Sequence, residues 1–184
     1  VSGRPWQFDG DNPSPLLDPA TGEVRVMYRT DTHTSQNLAS LIGMASAPSW
    51  RGPYTPLSAF GGPITSPQYP FEENEDPFLF RNRHGFHALM HACTWSDSRN
   101  VHWPAARWAG RHAFSRDGVQ WQYSPIPAYN ATLQLTNGST VVFSRMERPF
   151  LLFGDNGAPT HMYTGVQRYD WDDASFTLVQ PIMK

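Results

Sequence analysis

Three segments of this chain share one layout, and that repetition constrains the fold more than any other feature. They are "NPSPLLDPATGEVRVMY" (residues 12–28), "DPFLFRNRHGFHALMH" (76–91) and "ERPFLLFGDNGAPTHMY" (147–163). Each runs from a polar residue through a proline into an apolar stretch, a glycine-containing turn and a second strand-like stretch. The spacing from turn glycine to the end of the second stretch is the same in all three: Gly22 to Tyr28, Gly85 to His91, Gly157 to Tyr163. The first two units share a third element, since "LIGMASAPSWRGPY" (41–54) answers "GRHAFSRDGVQW" (110–121). Both end a strand in Ser, turn through Gly and continue into an aromatic residue. Units of three or four strands starting near 12, 76 and 147 predict the blades of a β-propeller.

The rest of the chain agrees. Seventeen prolines and fourteen glycines favour short strands and turns, and no segment sustains a helical period, so the expected class is all-β. Asn137-Gly138, inside "ATLQLTNGSTVVFS", predicts a two-residue hairpin whose arms are the outer strands of the second blade. Aromatic residues at 14% and charged residues at 16% indicate one folded domain over 1–184. Three blades do not close a ring, because propellers have four to eight. The expectation is that blades upstream of Val1, or a partner chain, complete it.

Charge and hydropathy exclude other classes. A net charge of −2 without a basic cluster gives no footprint for nucleic acid. No apolar stretch approaches the roughly 20 residues of a membrane-spanning helix. Cys93 stands alone, so no disulfide framework exists, and its place at the end of "FHALMHAC" fits a buried, inert thiol. The sequons at Asn130 ("NAT") and Asn137 ("NGS") point to a secreted or extracellular protein with accessible acceptor sites.

The acid-proline openings and the later turns resemble the five-bladed glycosidases of glycoside hydrolase family 43 and their invertase-like relatives. "EDPFLF" and "MERPFLLF" look like the starts of that group's innermost strands. "IGMASAPSWRGPY" and "HAFSRDGVQW" are similar to its "A-x-S…GPY" strand and "S-x-DG-x-x-W" turn. The resemblance covers most of residues 11–165 and implies about three of five blades, with an oligosaccharide or polysaccharide as ligand. It also implies three carboxylates at the funnel. These are an aspartate base from the first blade, an aspartate that tunes the acid from the second, and a glutamate acid from the third. On this chain the last two are Asp76 and Glu147, placed at equivalent repeat positions. Glycoside hydrolysis uses one protonated and one ionised carboxyl group. A glutamate entering an apolar strand is partly desolvated, which suits the acid.

The first position departs from that pattern. Asn12 stands where the family has aspartate, and an amide cannot act as a general base. The base is then Asp11, a residue of another blade, or absent. In the last case the protein is a glycan-binding or structural propeller. A one-residue offset turns Asp11 to the other face of a strand unless a bulge intervenes.

Arg148, beside Glu147, and Asn12 are expected to contact sugar. So is His161, a polar residue inside a short inner strand, which could alternatively face a central structural cation. Trp95, in a tryptophan-rich loop, offers a face for stacking on a sugar ring. His87, His91 and His112 read as packing or surface residues. No zinc-type spacing is present, and no cofactor is expected. "EENED" (72–76) reads as a solvated acidic loop apart from Asp76. Asp117 reads as the cap of the turn that Gly118 permits.

Overall fold

The computed structural model describes residues 10–34, 37–57, 73–93, 110–169 and 174–182, with the backbone alone at 31–34, 37–40, 73, 92 and 93. Thirteen strands and no helix occur among them. No helix is therefore long and apolar enough to cross a membrane.

The repeat becomes three antiparallel sheets. The first joins β1 (Gly10–Leu17), β2 (Val24–Thr34), β3 (Asn37–Ala47) and β4 (Thr55–Pro56) in that order. The second joins β5 (Glu73–Asn82), β6 (Gly85–Cys93), β7 (Gly110–Ser115) and β8 (Gln122–Tyr123). The third joins β11 (Arg145–Phe153), β12 (Pro159–Gln167) and β13 (Ser175–Pro181). Each repeat segment is the first two strands of its sheet, and the shared third element is β3 in one sheet and β7 in the next.

The hairpin at Asn137 differs from expectation. β9 (Thr132–Gln134) and β10 (Thr140–Val142) pair only with each other, and β8 is the fourth strand of the second sheet. The turn has three residues rather than two. Gly138 N–H donates to Leu135 O at 2.9 Å, Leu135 N–H donates to Ser139 O at 2.8 Å, and Gly138 takes φ +83°. That is a type I turn closed by a left-handed glycine. Asn137 fixes it by accepting from Ser139 N–H at 3.0 Å.

The sheets stack face to face, and period-two alternation lets the middle one serve two cores. Leu79, Ala88, Met90 and Ala113 meet Met27, Ile42 and Met44 of the first sheet. Leu89, with Phe78 and Phe80, meets Met146, Leu151, Met162 and Val166 of the third. Tyr129, Ala131 and Phe143, flanking the β9–β10 hairpin, join the second core. Gly110 is obligatory there, because a Cβ would lie 2.0 Å from the Tyr129 ring. Between the first two sheets, the buried Ser14 Oγ accepts from Leu79 N–H at 2.8 Å.

Asp117 caps its turn as expected. Its Oδ1 accepts from Val119 N–H at 2.8 Å and Gln120 N–H at 2.9 Å, and these bonds hold its pKa below the usual carboxylate value. His87 Nδ1 lies 3.0 Å from His112 Nε2, and His87 also stacks on Phe80, so these two histidines are packing residues. Burial lowers the pKa of both. The side chain of Cys93 lies outside the described residues.

Candidate active site

Each inner strand carries the same irregularity near its start. Pairing skips from Asp11 to Ser14 in β1, from Glu75 to Phe78 in β5, and from Glu147 to Phe150 in β11. In each case two residues face one on the partner strand, which is a β-bulge. Proline is the second of the two, and it has no N–H to give to the ladder. The residue before it is in the left-handed region: Asn12 at φ +49°, Asp76 at +50°, Arg148 at +54°. These three are the positive-φ non-glycine residues among those described. Such backbone costs on the order of 1–3 kcal/mol per residue and gathers at functional sites.

The bulges correct the sequence reading of equivalence. Glu147 corresponds to Glu75 and Asp11, and Arg148 corresponds to Asp76 and Asn12. Asp76 and Glu147 are therefore not equivalent positions. The reason is the spacing to proline: Glu147 is two residues before its proline, whereas Asp76 is one. The extra residue also interrupts strict alternation, so two consecutive side chains can join one cluster. That answers the objection to Asp11.

The cluster spans all three sheets. Arg29, opposite Asp11 across the β1–β2 pair, lies 3.6 Å from Asp11 Oδ2 and 3.3 Å from Glu75 Oε2. His91, opposite Glu75 across the β5–β6 pair, places Nδ1 3.1 Å from Glu75 Oε1. Arg148 Nη1–H donates to Glu147 Oε2 at 3.0 Å, and its Nε is 3.9 Å from Asp76 Oδ1. Arg145 reaches the other oxygen of Glu147 at 3.3 Å. Asn12 Nδ2–H donates to Asp76 Oδ1. Donor atoms of Glu75, His91 and Glu147 all lie within 4.8 Å of one another.

Asp76 is 6% exposed, and its Oδ2 has no hydrogen-bond partner. Burial raises its pKa above the ordinary value, and Arg148 opposes that shift. Glu75 and Glu147 add to the rise, while His91 works against it. Glu75, His91 and Glu147 have the donor types for a divalent cation. Binding one would require Arg29, Arg145 and Arg148 to yield the carboxylate oxygens they already occupy.

The sequence reading missed Glu75, Arg29 and His91. Glu75 was placed in a solvated loop, yet it is half-buried in β5 and bonded on both oxygens. Its signal was the acid two residues before proline, shared by Asp11 and Glu147. His161 is not brought into the cluster. It pairs with Leu152, whereas Glu147 pairs with Gly165, four residues along β12 and roughly 13 Å away at strand rise. His161 Nδ1 lies 3.2 Å from Thr160 Oγ1. Trp95 lies outside the described residues. Asn130 and Asn137 are both exposed. A cavity of about 400 Å³ lies at the opposite end of β1 and β5, lined among others by Leu16, Asp18, Arg25, Arg81 and Phe86, and it contains no residue of the cluster.

Solved structures share this architecture. A thermostable family-43 glycoside hydrolase superposes with a TM-score of 0.59 at 12% identity, covering 96% of this chain and 57% of that one. An endo-arabinase from Bacteroides thetaiotaomicron gives 0.59 at 15% identity, with 97% and 58% covered. An α-L-arabinofuranosidase from Lactobacillus brevis gives 0.57 at 14%, with 94% and 52% covered. The chain has the fold of the propeller glycosidases. It spans a little over half the length of these structures, as a partial propeller does. No protein-family model matches the sequence. No curated protein matches it either.

Proposed function

We propose that this chain supplies the site-bearing blades of an extracellular glycoside hydrolase, with Glu147 as the acid that protonates the leaving oxygen and Asp76 as the carboxyl group that tunes it. The observation that carries this reading is the single guanidinium of Arg148, which touches Glu147 and lies beside the buried carboxyl of Asp76, whose Oδ2 has no hydrogen-bond partner. An acid and a tuning group must share one field, and a common counter-charge couples them. Asn12 and Arg148 also offer donors to sugar hydroxyls. Further blades or a partner chain close the ring, and at least one of Asn130 and Asn137 carries glycan in a eukaryotic secretory host.

The structural neighbours include an endo-arabinase, an arabinofuranosidase and an endo-1,4-β-xylanase, so arabinan, xylan and the matching aryl pentosides are the first substrates to assay. In the full-length protein, Glu147→Gln should lower hydrolysis by about 10²–10⁴-fold while leaving oligosaccharide binding intact. Equal turnover in wild type and Glu147→Gln would remove the acid role. Intact-peptide mass spectrometry over 125–145 tests the two sequons, and bare asparagines would count against secretion.

One observation favours a second reading, a glycan-binding propeller. The Asn12 amide is bonded to Asp76, so the position that the resemblance reserves for the base holds no base. Oligosaccharide affinity without hydrolysis in wild type would select this reading.

A further inference from the structure

We propose that the cleft between the first two sheets, at the end away from the carboxylate cluster, is a second ligand site that takes a neutral oligosaccharide. The inference does not rest on the hydrolase reading, because it uses no residue of that cluster.

The cleft forms where two hairpin ends meet. β1 supplies Leu17, the turn after it supplies Asp18, and the chain entering β2 supplies Glu23 and Arg25. The β5–β6 hairpin supplies Arg81 and Phe86. The volume of about 400 Å³ falls within the range of small-ligand sites, about 300–1,000 Å³. Along β1, from Asn12 to Leu17, strand rise puts the cleft roughly 15 Å from the bulges. A sugar ring held here is therefore not the one held at the cluster.

The polar groups of the cleft are ordered before a ligand arrives. The buried ring of Phe86 has the Arg25 guanidinium 4.5 Å from its centroid and the Arg81 guanidinium at 5.1 Å. Arg25 Nε–H donates to Glu23 Oε1 at 3.1 Å, and its Nη1–H donates to the Asp117 carbonyl at 2.8 Å. Arg81 Nη1–H donates to Asp18 Oδ2 at 3.4 Å, and Asp18 Oδ1 accepts from Ala20 N–H at 2.9 Å. Isolated surface ion pairs lose their Coulomb gain to side-chain entropy. Here one aromatic ring and two backbone groups hold both pairs in place. Less freedom remains to be lost on binding, which favours affinity.

The charge pattern selects the class of ligand. Two guanidiniums and two carboxylates cancel, so neither an anion nor a cation gains a net field. A wholly apolar guest would desolvate all four groups without compensation. A hydroxyl both donates and accepts, so the hydroxyls of a sugar can meet guanidinium N–H groups and carboxylate oxygens in turn. Arg81 gives one of its five N–H groups to Asp18, which leaves donors for such a guest. Leu17, 58% exposed, offers an apolar wall to the C–H face of the ring.

The test uses the full-length protein carrying Glu147→Gln, so that the probes are not consumed. Calorimetry with xylohexaose, arabinohexaose, mannohexaose and cellohexaose should find binding by at least one, with hexagalacturonate as the acidic control. Arg81→Met removes the donors, and Leu17→Trp fills the cleft while leaving every charge. Each should weaken one binding component by at least about tenfold. The bound hexaose carrying a diazirine should label residues 16–25 or 81–86 of the protein with its cleft unaltered. A cleft variant that fails to fold therefore does not obscure the answer. No binding by any neutral hexaose, label confined to the bulges, affinity unchanged by both substitutions, or tighter binding of hexagalacturonate overturns the proposal. Label in the cleft of wild-type protein that shows no turnover supports the proposal and overturns the hydrolase reading alone.

Discussion

The inner strands of the second and third sheets carry the same device with opposite fillings. β5 and β11 each bulge before a proline, with a left-handed residue at the bulge and a glutamate ahead of it. In β5 the glutamate faces His91 across the pair and also meets Arg29, and the left-handed residue is the buried Asp76. In β11 the glutamate faces Gly165, which offers no side chain, and the left-handed residue is Arg148, 69% exposed at its side chain. One backbone motif thus gives a clamped carboxylate in one sheet and one without a cross-strand anchor in the next. The difference teaches that the bulge decides where side chains converge, while the residue opposite decides whether each is also held across the strand pair.

The largest effect should come from removing the acid that lacks a cross-strand anchor. Glu147→Gln should lower hydrolysis by about 10²–10⁴-fold, the usual worth of a positioned proton donor, with sugar affinity retained by calorimetry. A loss under tenfold would mean that the two glutamates do not differ as their surroundings imply.

Giving Glu147 the clamp of Glu75 sharpens the contrast. Gly165→His has room for its Cβ, which meets only Glu147 O at 3.8 Å. The imidazole should draw the carboxyl away from its leaving-group position and slow turnover by about tenfold, or 1.4 kcal/mol in barrier. An unchanged kcat would show that cross-strand anchoring is irrelevant to the acid.

Arg148→Gly relaxes the strained backbone and removes a positive charge beside Asp76. That charge lowers the Asp76 pKa, so its loss should raise the pKa further and move any limb of the pH–rate profile governed by Asp76 to higher pH. A limb that stays in place would uncouple Asp76 from Arg148.

The smallest effect concerns stability. The folded pKa of Asp76 is raised, chiefly by burial, so its contribution to stability is intact below the unfolded value of about 4 and is lost as pH rises through the folded pKa. Asp76→Asn removes that loss. The melting temperature of the variant should match wild type at the lowest pH, exceed it increasingly as pH rises through the folded pKa, and keep a constant margin above it. A difference that does not vary with pH would show that Asp76 does not titrate in the folded protein.

Local pattern carried much of the architecture. Proline, an apolar stretch and a turn glycine recur at spacings that differ by one residue at most, and each recurrence is a strand pair because alternation and turn chemistry act over a few residues. Asp117 was legible as a cap for the same reason, since its partners Val119 and Gln120 are two and three residues away. The Asn137 turn was legible in place but not in length, because the same Asn-Gly pair serves two-residue and three-residue loops.

The site was legible only in part. Asp76 and Glu147 stand out as acids before prolines, and the tertiary structure places both at Arg148. Glu75 resembled its acidic neighbours, and His91 resembled any histidine in a strand. Arg29 carried no mark, because the second acid it meets, Glu75, comes from another sheet. Strand pairing and turn type depend on near neighbours and are written in the sequence. Which carboxylate meets which cation depends on how three bulged strands converge, and only the packing of the sheets fixes that.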